Sequence, residues 1–171
     1  MDWRGFELHP DTPPGGMPIS DLFAAARLGE MKKYMENFAA GFGITNMRQP
    51  DRIPNTKRAI AAAEYARDKG ALTEFKTAAM NAYWRDGVDL ESDEGIAEIA
   101  RRAGIDPGSA VAASTSPKYR ERVMEMIQEA VENGVTGIPT FLFGDLRVVG
   151  CQHYDVLADA AVRTGAPKRG R

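Results

Sequence analysis

With 171 residues, the chain has a length typical of one domain with a sizeable core. Hydrophobic residues make up 43% and charged residues 27% of it, and the formal net charge is −2. Because this charge provides no basic surface, we expect no nucleic-acid partner. The first ten residues lack the apolar region of a signal peptide, and no apolar run approaches the ~20 residues of a transmembrane helix. We therefore expect a cytoplasmic protein with no membrane contact.

Cysteine and histidine are scarce in this chain. The one cysteine, Cys151, excludes an intramolecular disulfide and a cysteine-based metal cluster. The two histidines, His9 and His153, lie far apart and do not have the spacing of metal ligands. The sequence therefore predicts no metal and no bound cofactor.

The N-terminal third of the chain alternates between short ordered segments and loops. Asp2–Leu8 is predicted to form a short strand, and the loop after it contains four prolines and two glycines. A helix is then expected from a cap at Ser20 or Asp21 to residue 40, with Gly29 as a possible break. The next loop includes a short extended piece at residues 44–47.

A block of helices follows. Asn55 or Thr56 can cap an alanine-rich helix that ends at Gly70, and a second helix is expected over residues 72–86. Ser92 starts a third helix, and two Asp-Pro or Ser-Pro pairs, at residues 106–107 and 116–117, have the form of a cap followed by proline at the first helical position. The last of these helices is expected to reach residue 133.

The C-terminal part changes to strands. Pro139–Phe143 and Leu146–Val149 are predicted to form an antiparallel hairpin around Gly144-Asp145, followed by a last helix that ends near residue 164. This order indicates an α/β fold with a helical insertion over residues 20–133 and a hairpin-helix unit over residues 138–164, all in one domain. Pro139 is unusual here, because proline cannot donate to a β-ladder and is tolerated only at strand starts, edges or bulges.

Four segments in this order resemble the DsbA family of thioredoxin-fold proteins, particularly its cytoplasmic, polyketide-associated oxidoreductase branch. WRGFELHPDTP is similar to that family's second strand and following loop, and PNTKRA is similar to the start of a helix in its insertion. AYWRDGVDLESDEGIAEIARRAGID resembles the central helical segment, and GVTGIPTFLF with LRVVGCQ resembles the cis-proline loop, the hairpin and the approach to the last helix. The resemblance implies a thioredoxin-like fold over residues 1–171.

The resemblance also implies how a substrate would bind. The Ile138–Pro139 bond would be cis, so that the backbone amide and carbonyl of Ile138 face outward and pair with an extended peptide or thiol substrate. Gly137, Ile138 and Pro139 are therefore the predicted substrate-binding residues. Without the family, a trans proline at the start of an edge strand is the simpler interpretation.

The family's catalytic motif does not occur in the sequence. Its Cys-x-x-Cys lies at a helix N-terminus after a first strand, and here neither that motif nor that strand is found. Three explanations are open: an incorrectly assigned start codon, a genuine short form in which Asp2–Leu8 pairs with Pro139–Phe143, or a partner chain, for which a homodimer is one form. In each case the chain as given is expected to be N-terminally truncated relative to the family and inactive in dithiol exchange.

Two other functions remain open. A related branch, the glutathione-dependent 2-hydroxychromene-2-carboxylate isomerases and kappa-class transferases, uses a serine in place of the cysteine; here glutathione would be the ligand, with Asn55 and Gln152 near it. The other alternative is a binding module without catalysis. Cys151 is a candidate reactive thiol, although a lone cysteine after a strand is more often an inert core residue.

Overall fold

The computed structural model describes residues 1–48 and 50–167, without the side chains of Ala25 and Ala26. The chain forms two compact units, Met1–Met126 and a second unit that begins at Ile127. The helices are α1 (Ala25–Gly41), α2 (Lys57–Asp68), α3 (Leu72–Asn81), α4 (Asp93–Arg102), α5 (Pro107–Thr115), α6 (Pro117–Glu132) and α7 (Tyr154–Arg163). The strands are β1 (Met17–Pro18), β2 (Arg52–Ile53), β3 (Thr140–Phe143) and β4 (Leu146–Val149).

The core of the first unit lies among four helices, α2 to α5, which pack against one another. Alanine dominates it, because a small side chain lets helices approach closely while it favours the helical backbone. Larger side chains fill the space between the helices. The fully buried hydrophobic residues are Ala61, Ala62, Ala66, Phe75, Ala82, Ile96, Ile99, Ala100 and Ala110.

The predicted helix starts in this block are confirmed where a side chain supplies the cap. Ser92 Oγ accepts the N–H of Gly95 at 3.0 Å, and Asp106 Oδ1 accepts the N–H of Ser109 at 2.8 Å. Each bond satisfies one of the backbone donors that the first turn of a helix leaves unpaired. Proline occupies the first position of both α5 and α6, as predicted.

The prediction of a strand at Asp2–Leu8 is wrong. These residues lie outside regular secondary structure, and side chains rather than a β-ladder hold them. Arg67 of α2 binds the Asp2 carboxylate and the Trp3 carbonyl, and the Lys76 ammonium lies 3.6 Å from the centroid of the Trp3 ring. The strand at residues 2–8 that one of the three explanations requires is therefore not formed.

The first helix begins later than predicted. A 3₁₀ turn covers Ile19–Asp21, and α1 starts at Ala25, so neither Ser20 nor Asp21 caps it. The reason lies far along the chain, because β1 pairs with β2 and the N–H of Ile19 donates to the carbonyl of Asp51 at 2.9 Å. This pairing holds the chain extended just before residue 19.

Two further details of this region differ from prediction. Gly29 does not interrupt α1, which runs through it. Residues 44–47, for which an extended piece is predicted, do not form a strand. The strand in this loop is β2, at Arg52–Ile53.

The second unit contains the end of α6 and then a β-hairpin followed by α7, the order that the sequence predicts. β3 and β4 are antiparallel, with Thr140 opposite Val149 and Phe143 opposite Leu146. Successive side chains of a strand point to opposite faces. Leu146 and Val148 share one face and line a shallow depression together with residues of α7, whereas Leu142 and Val149 share the other face and are half exposed.

Among the described residues, no helix combines the length and the apolar character needed to cross a bilayer.

Candidate functional site

The predicted substrate-binding residues lie at the open end of the hairpin. Gly137–Pro139 precede β3, and Gly150–Gln152 follow β4, so strand pairing brings the two segments together. The N–H of Gly150 donates to the carbonyl of Pro139 at 2.8 Å and continues the pairing by one step beyond the strands. The Ile138–Pro139 peptide bond is cis.

Ile138 presents both backbone polar groups without a partner. Within the described residues, its N–H and C=O take part in no backbone hydrogen bond, and its side chain is 52% exposed. Because most backbone N–H and C=O groups of folded proteins are paired, an unpaired donor and acceptor on one exposed residue are available to a ligand. An unpaired N–H and C=O are also what the edge of a sheet offers, and an extended chain can add to such an edge.

The loop before Ile138 is fixed at both ends by hydrogen bonds. Thr140 Oγ1 donates to the Gly137 carbonyl at 2.6 Å, and Arg147 Nη1 donates to the carbonyls of Asn133 (3.2 Å) and Gly134 (2.5 Å). Gly134 has φ of 71°, and a Cβ at this position would collide with the Arg147 guanidinium. Ile138 is thus presented on a loop of defined shape.

Sequence reasoning missed the positioning role of Arg147. Strand alternation places it on the face opposite Leu146 and Val148, but nothing local indicates its acceptors, which lie 13 and 14 residues earlier. Only the folded hairpin brings that guanidinium to the end of α6.

Cys151 is exposed, so the interpretation of this residue as part of the core is wrong. The chain leaves the hairpin at Gly150, whose φ is 83°, and Cys151 comes one residue after this turn. Gln152 Nε2 donates to the Val149 carbonyl at 2.9 Å, which stabilises the turn. The thiol therefore lies in the segment next to Ile138–Pro139, accessible to solvent.

Asn55 lies in the first unit, one residue before Thr56, which is the N-cap of α2 and makes no capping hydrogen bond with its side chain. Asn55 Oδ1 accepts the N–H of Lys57 at 3.1 Å, and its Nδ2 donates to the Thr12 carbonyl at 2.8 Å. These bonds use both ends of the amide, and the first of them pairs the N–H of the first helical residue from a position just outside the N-cap. A contact between Asn55 and a ligand stays a prediction.

Among the described residues, no three His, Cys, Asp or Glu side chains are grouped so that they could hold a metal ion. The chemistry available at the open end of the hairpin is therefore that of backbone hydrogen bonds, an apolar side chain and one accessible thiol.

Comparison with known families identifies the class of the protein. Residues 1–162 match the DSBA-like thioredoxin domain, and the chain belongs to this family. A relative from Bacillus subtilis (strain 168), the uncharacterized protein YwbO, is 23% identical over 167 residues, which cover 94% of this chain and 80% of YwbO.

Solved structures agree with this assignment. A probable DsbA oxidoreductase from Streptomyces coelicolor superposes with a TM-score of 0.79 at 26% identity, over 94% of this chain and 73% of that chain. A 2-hydroxychromene-2-carboxylate isomerase superposes with a TM-score of 0.76 at 22% identity, over 95% of this chain and 79% of that chain. The fold is therefore the thioredoxin-like DsbA fold, with many helices and few strands.

Proposed function

We propose that this chain binds the substrate of a DsbA-family thiol–disulfide oxidoreductase, and that residues 1–171 by themselves do not catalyse dithiol exchange. The observation that carries the first part is the unpaired N–H and C=O of Ile138 at the open end of the hairpin. The second part follows from the single cysteine, because dithiol exchange needs two thiols and one thiol supports only a mixed disulfide.

The substrate that fits these groups is an extended peptide or a thiol-containing peptide. One of its residues would exchange two hydrogen bonds with Ile138, as in the addition of a strand to a sheet edge. The exposed side chains of Ile138 and Val149, each 52% exposed, offer apolar surface to the side chains of such a peptide. Cys151, one residue beyond the hairpin end, is the thiol with which a cysteine of that peptide could form a mixed disulfide.

The binding step is tested by NMR with the ¹⁵N-labelled 171-residue chain. The probe is a capped Ala-Thr-Ser-Val-Ala pentapeptide, in which serine prevents disulfide formation, and the matched controls carry an N-methyl group on one central residue at a time. We expect the Ile138 amide to shift and to become protected from exchange, and one N-methyl analogue to lose binding. An unshifted Ile138 amide, or equal binding of all analogues, would contradict the proposal.

Glutathione forms a second arm of the same titration. Binding of glutathione but not of the pentapeptide would contradict peptide binding and favour the alternative related to the glutathione-dependent isomerases. The cytoplasmic location stays a prediction, which cell fractionation would test.

The redox part is tested by the reduction of insulin with dithiothreitol. We expect the 171-residue chain to leave the rate at its uncatalysed value, because the chain cannot form the dithiol–disulfide pair. A clear acceleration would show that the second part of the proposal is wrong, and its loss in Cys151→Ser would assign the activity to that thiol. This outcome is independent of the peptide-binding result.

A further inference from the structure

The segment that leads to Ile138 begins at the C-terminal end of α6. The N–H of Gly134 donates to the Val131 carbonyl at 2.8 Å. The N–H of Val135 donates to the Ala130 carbonyl at 2.9 Å. With Gly134 in the left-handed region, at φ of 71°, these bonds form the Schellman motif that commonly ends a helix. The motif sets the direction in which the chain leaves α6, four residues before Ile138.

Arg147 of β4 binds this end of the helix from the hairpin. Its Nη1 donates to the carbonyls of Asn133 and Gly134, at 3.2 and 2.5 Å. A cation is favourable at the C-terminus of a helix, because the unpaired carbonyls there carry partial negative charge. Among the described residues, Arg147 forms no ion pair with a carboxylate, so the described hydrogen bonds of its side chain serve the end of α6.

Side chains of the hairpin thus fix both ends of the segment between α6 and Ile138. Arg147 binds Gly134 at one end, and Thr140 Oγ1 donates to the Gly137 carbonyl at the other, at 2.6 Å. Ile138 follows directly after Gly137. A site whose shape is fixed before binding does not have to be ordered by its ligand, and this raises the affinity.

We propose that Arg147 is a positioning residue of the Ile138 site, and that the affinity for an extended peptide depends on its two hydrogen bonds to the end of α6. This inference rests on the peptide binding proposed above. Without those bonds the segment from Val135 to Gly137 samples more conformations, and the peptide has to order it on binding. Because Arg147 is exposed, its replacement leaves no cavity, and we expect the hairpin to stay folded.

Arg147→Met, which keeps an unbranched apolar side chain but removes the donors, tests the inference in the titration with the capped Ala-Thr-Ser-Val-Ala pentapeptide. We expect binding to become at least about tenfold weaker, since every residue that must be ordered on binding lowers the affinity. Arg147→Lys keeps a charged donor and should recover most of the affinity. Arg120→Met, at an exposed arginine of α6, is the matched control and should bind like the unaltered chain. Because the pentapeptide is uncharged, the loss of a positive charge alone should not weaken its binding.

Hydrogen exchange of the ligand-free chain distinguishes positioning from direct contact with the peptide. In Arg147→Met, the amides of Gly134 and Val135 should exchange faster, whereas the amides paired between β3 and β4 should keep their protection. Weaker binding with unchanged exchange at Gly134 and Val135 would mean that Arg147 contacts the peptide itself. A general loss of protection in the hairpin would mean that Arg147 only stabilises the fold. Either result would overturn the inference.

The titration also separates this inference from the proposed function. If the unaltered chain binds the pentapeptide and Arg147→Met binds it equally tightly, the positioning role of Arg147 alone is wrong. If the unaltered chain does not bind the pentapeptide, the proposed function is wrong, and the inference that rests on it is wrong as well.

Discussion

Gly95 lies in the first turn of α4, at a position where the backbone leaves room for a hydrogen atom but not for a side chain. A Cβ at this position would collide with the backbone carbonyl of Asp89, which cannot move as a flexible side chain can. At Gly29, inside α1, an added Cβ would point into open space. Two helical glycines in one chain therefore have different physical roles.

We expect the same substitution to have opposite effects at these two positions. Gly95→Ala should lower the free energy of unfolding by about 1–3 kcal/mol, because the extra methyl group overpacks the turn. Gly29→Ala should raise it by about 0.5–1 kcal/mol, because alanine favours the helix more than glycine does. Urea denaturation measures both, and equal changes at the two sites would contradict the packing argument.

At the scale of the elements, the Glu91 carboxylate connects the N-terminal loop with the start of α2. Its Oε2 accepts the N–H of Gly15 at 2.8 Å, and its Oε1 accepts the N–H of Asn55 at 2.7 Å. Because the Asn55 side chain in turn accepts the N–H of Lys57, the first residue of α2, and donates to the Thr12 carbonyl, this one carboxylate helps to fix the loop and the start of the helix.

Glu91→Gln should release the loop while leaving the helices folded. The amide retains one acceptor oxygen, but its NH₂ group cannot accept the second N–H, so one hydrogen bond is lost at a cost of about 1–2 kcal/mol. Hydrogen exchange at Gly15 or Asn55 should become faster. Glu94→Gln, at an exposed position in the first turn of α4, is the matched control, and comparable exchange in both variants would disprove the role of Glu91.

Asp68 joins α2 to α6 through three partners. Its carboxylate accepts hydrogen bonds from Arg122 at 2.7 Å and from Lys118 and the Tyr119 hydroxyl at 3.0 Å each. The hydrogen bond from Arg122, followed by that from Lys118, holds the pKa of Asp68 well below its usual range. The folded state therefore binds this proton less readily than the unfolded chain does.

The pH dependence of stability follows from the lowered pKa of Asp68 in the folded state. A lowered pKa in the folded state contributes stability above the unfolded value of about 3.9, and this contribution is lost as the pH falls below about 4. Asp68→Asn should lower the free energy of unfolding by about 1 kcal/mol at pH 7 and flatten its fall in acid. Denaturation curves from pH 7 to about pH 2 test this, with Asp11→Asn, an exposed carboxylate, as the control; equal curves for the two variants would contradict it.

At the scale of the whole molecule, the two units differ in how much they bury. The first unit has an alanine-rich core with Phe75, Ile96 and Ile99 fully enclosed, whereas Ala160 is the one buried residue in the described part of the second unit. Regions with few buried apolar contacts open at low free-energy cost.

The hairpin and α7 should therefore exchange their amide hydrogens faster than α2 and α4. Mass-spectrometric hydrogen exchange measures this directly, and mild proteolysis should cut first in the unit that begins at Ile127. Uniform protection along the chain would mean that residues 127–167 are stabilised as strongly as the first unit.

Much of this architecture could be predicted from the sequence because its signals are local. The caps at Ser92 and Asp106, the prolines that open α5 and α6, and the turn at Gly144-Asp145 each act within a few residues. The predictions that failed concern segments held by distant partners. Residues 2–8 are bound by Arg67, and the start of α1 is delayed by the pairing of β1 with β2, contacts that no local pattern encodes.

The features of the candidate site also fall into two groups, those that the sequence predicts and those that only the folded structure shows. The sequence by itself determined that an apolar segment behind Pro139 forms one arm of a hairpin, that Cys151 follows the other arm, and that the chain resembles the DsbA family. Only the tertiary structure decided that Ile138 keeps an unpaired N–H and C=O, that Arg147 fixes the loop before it, and that the Cys151 thiol is exposed. The physical reason is that turns and strand periodicity depend on neighbouring residues, whereas hydrogen-bond pairing and burial depend on what the folded chain brings together.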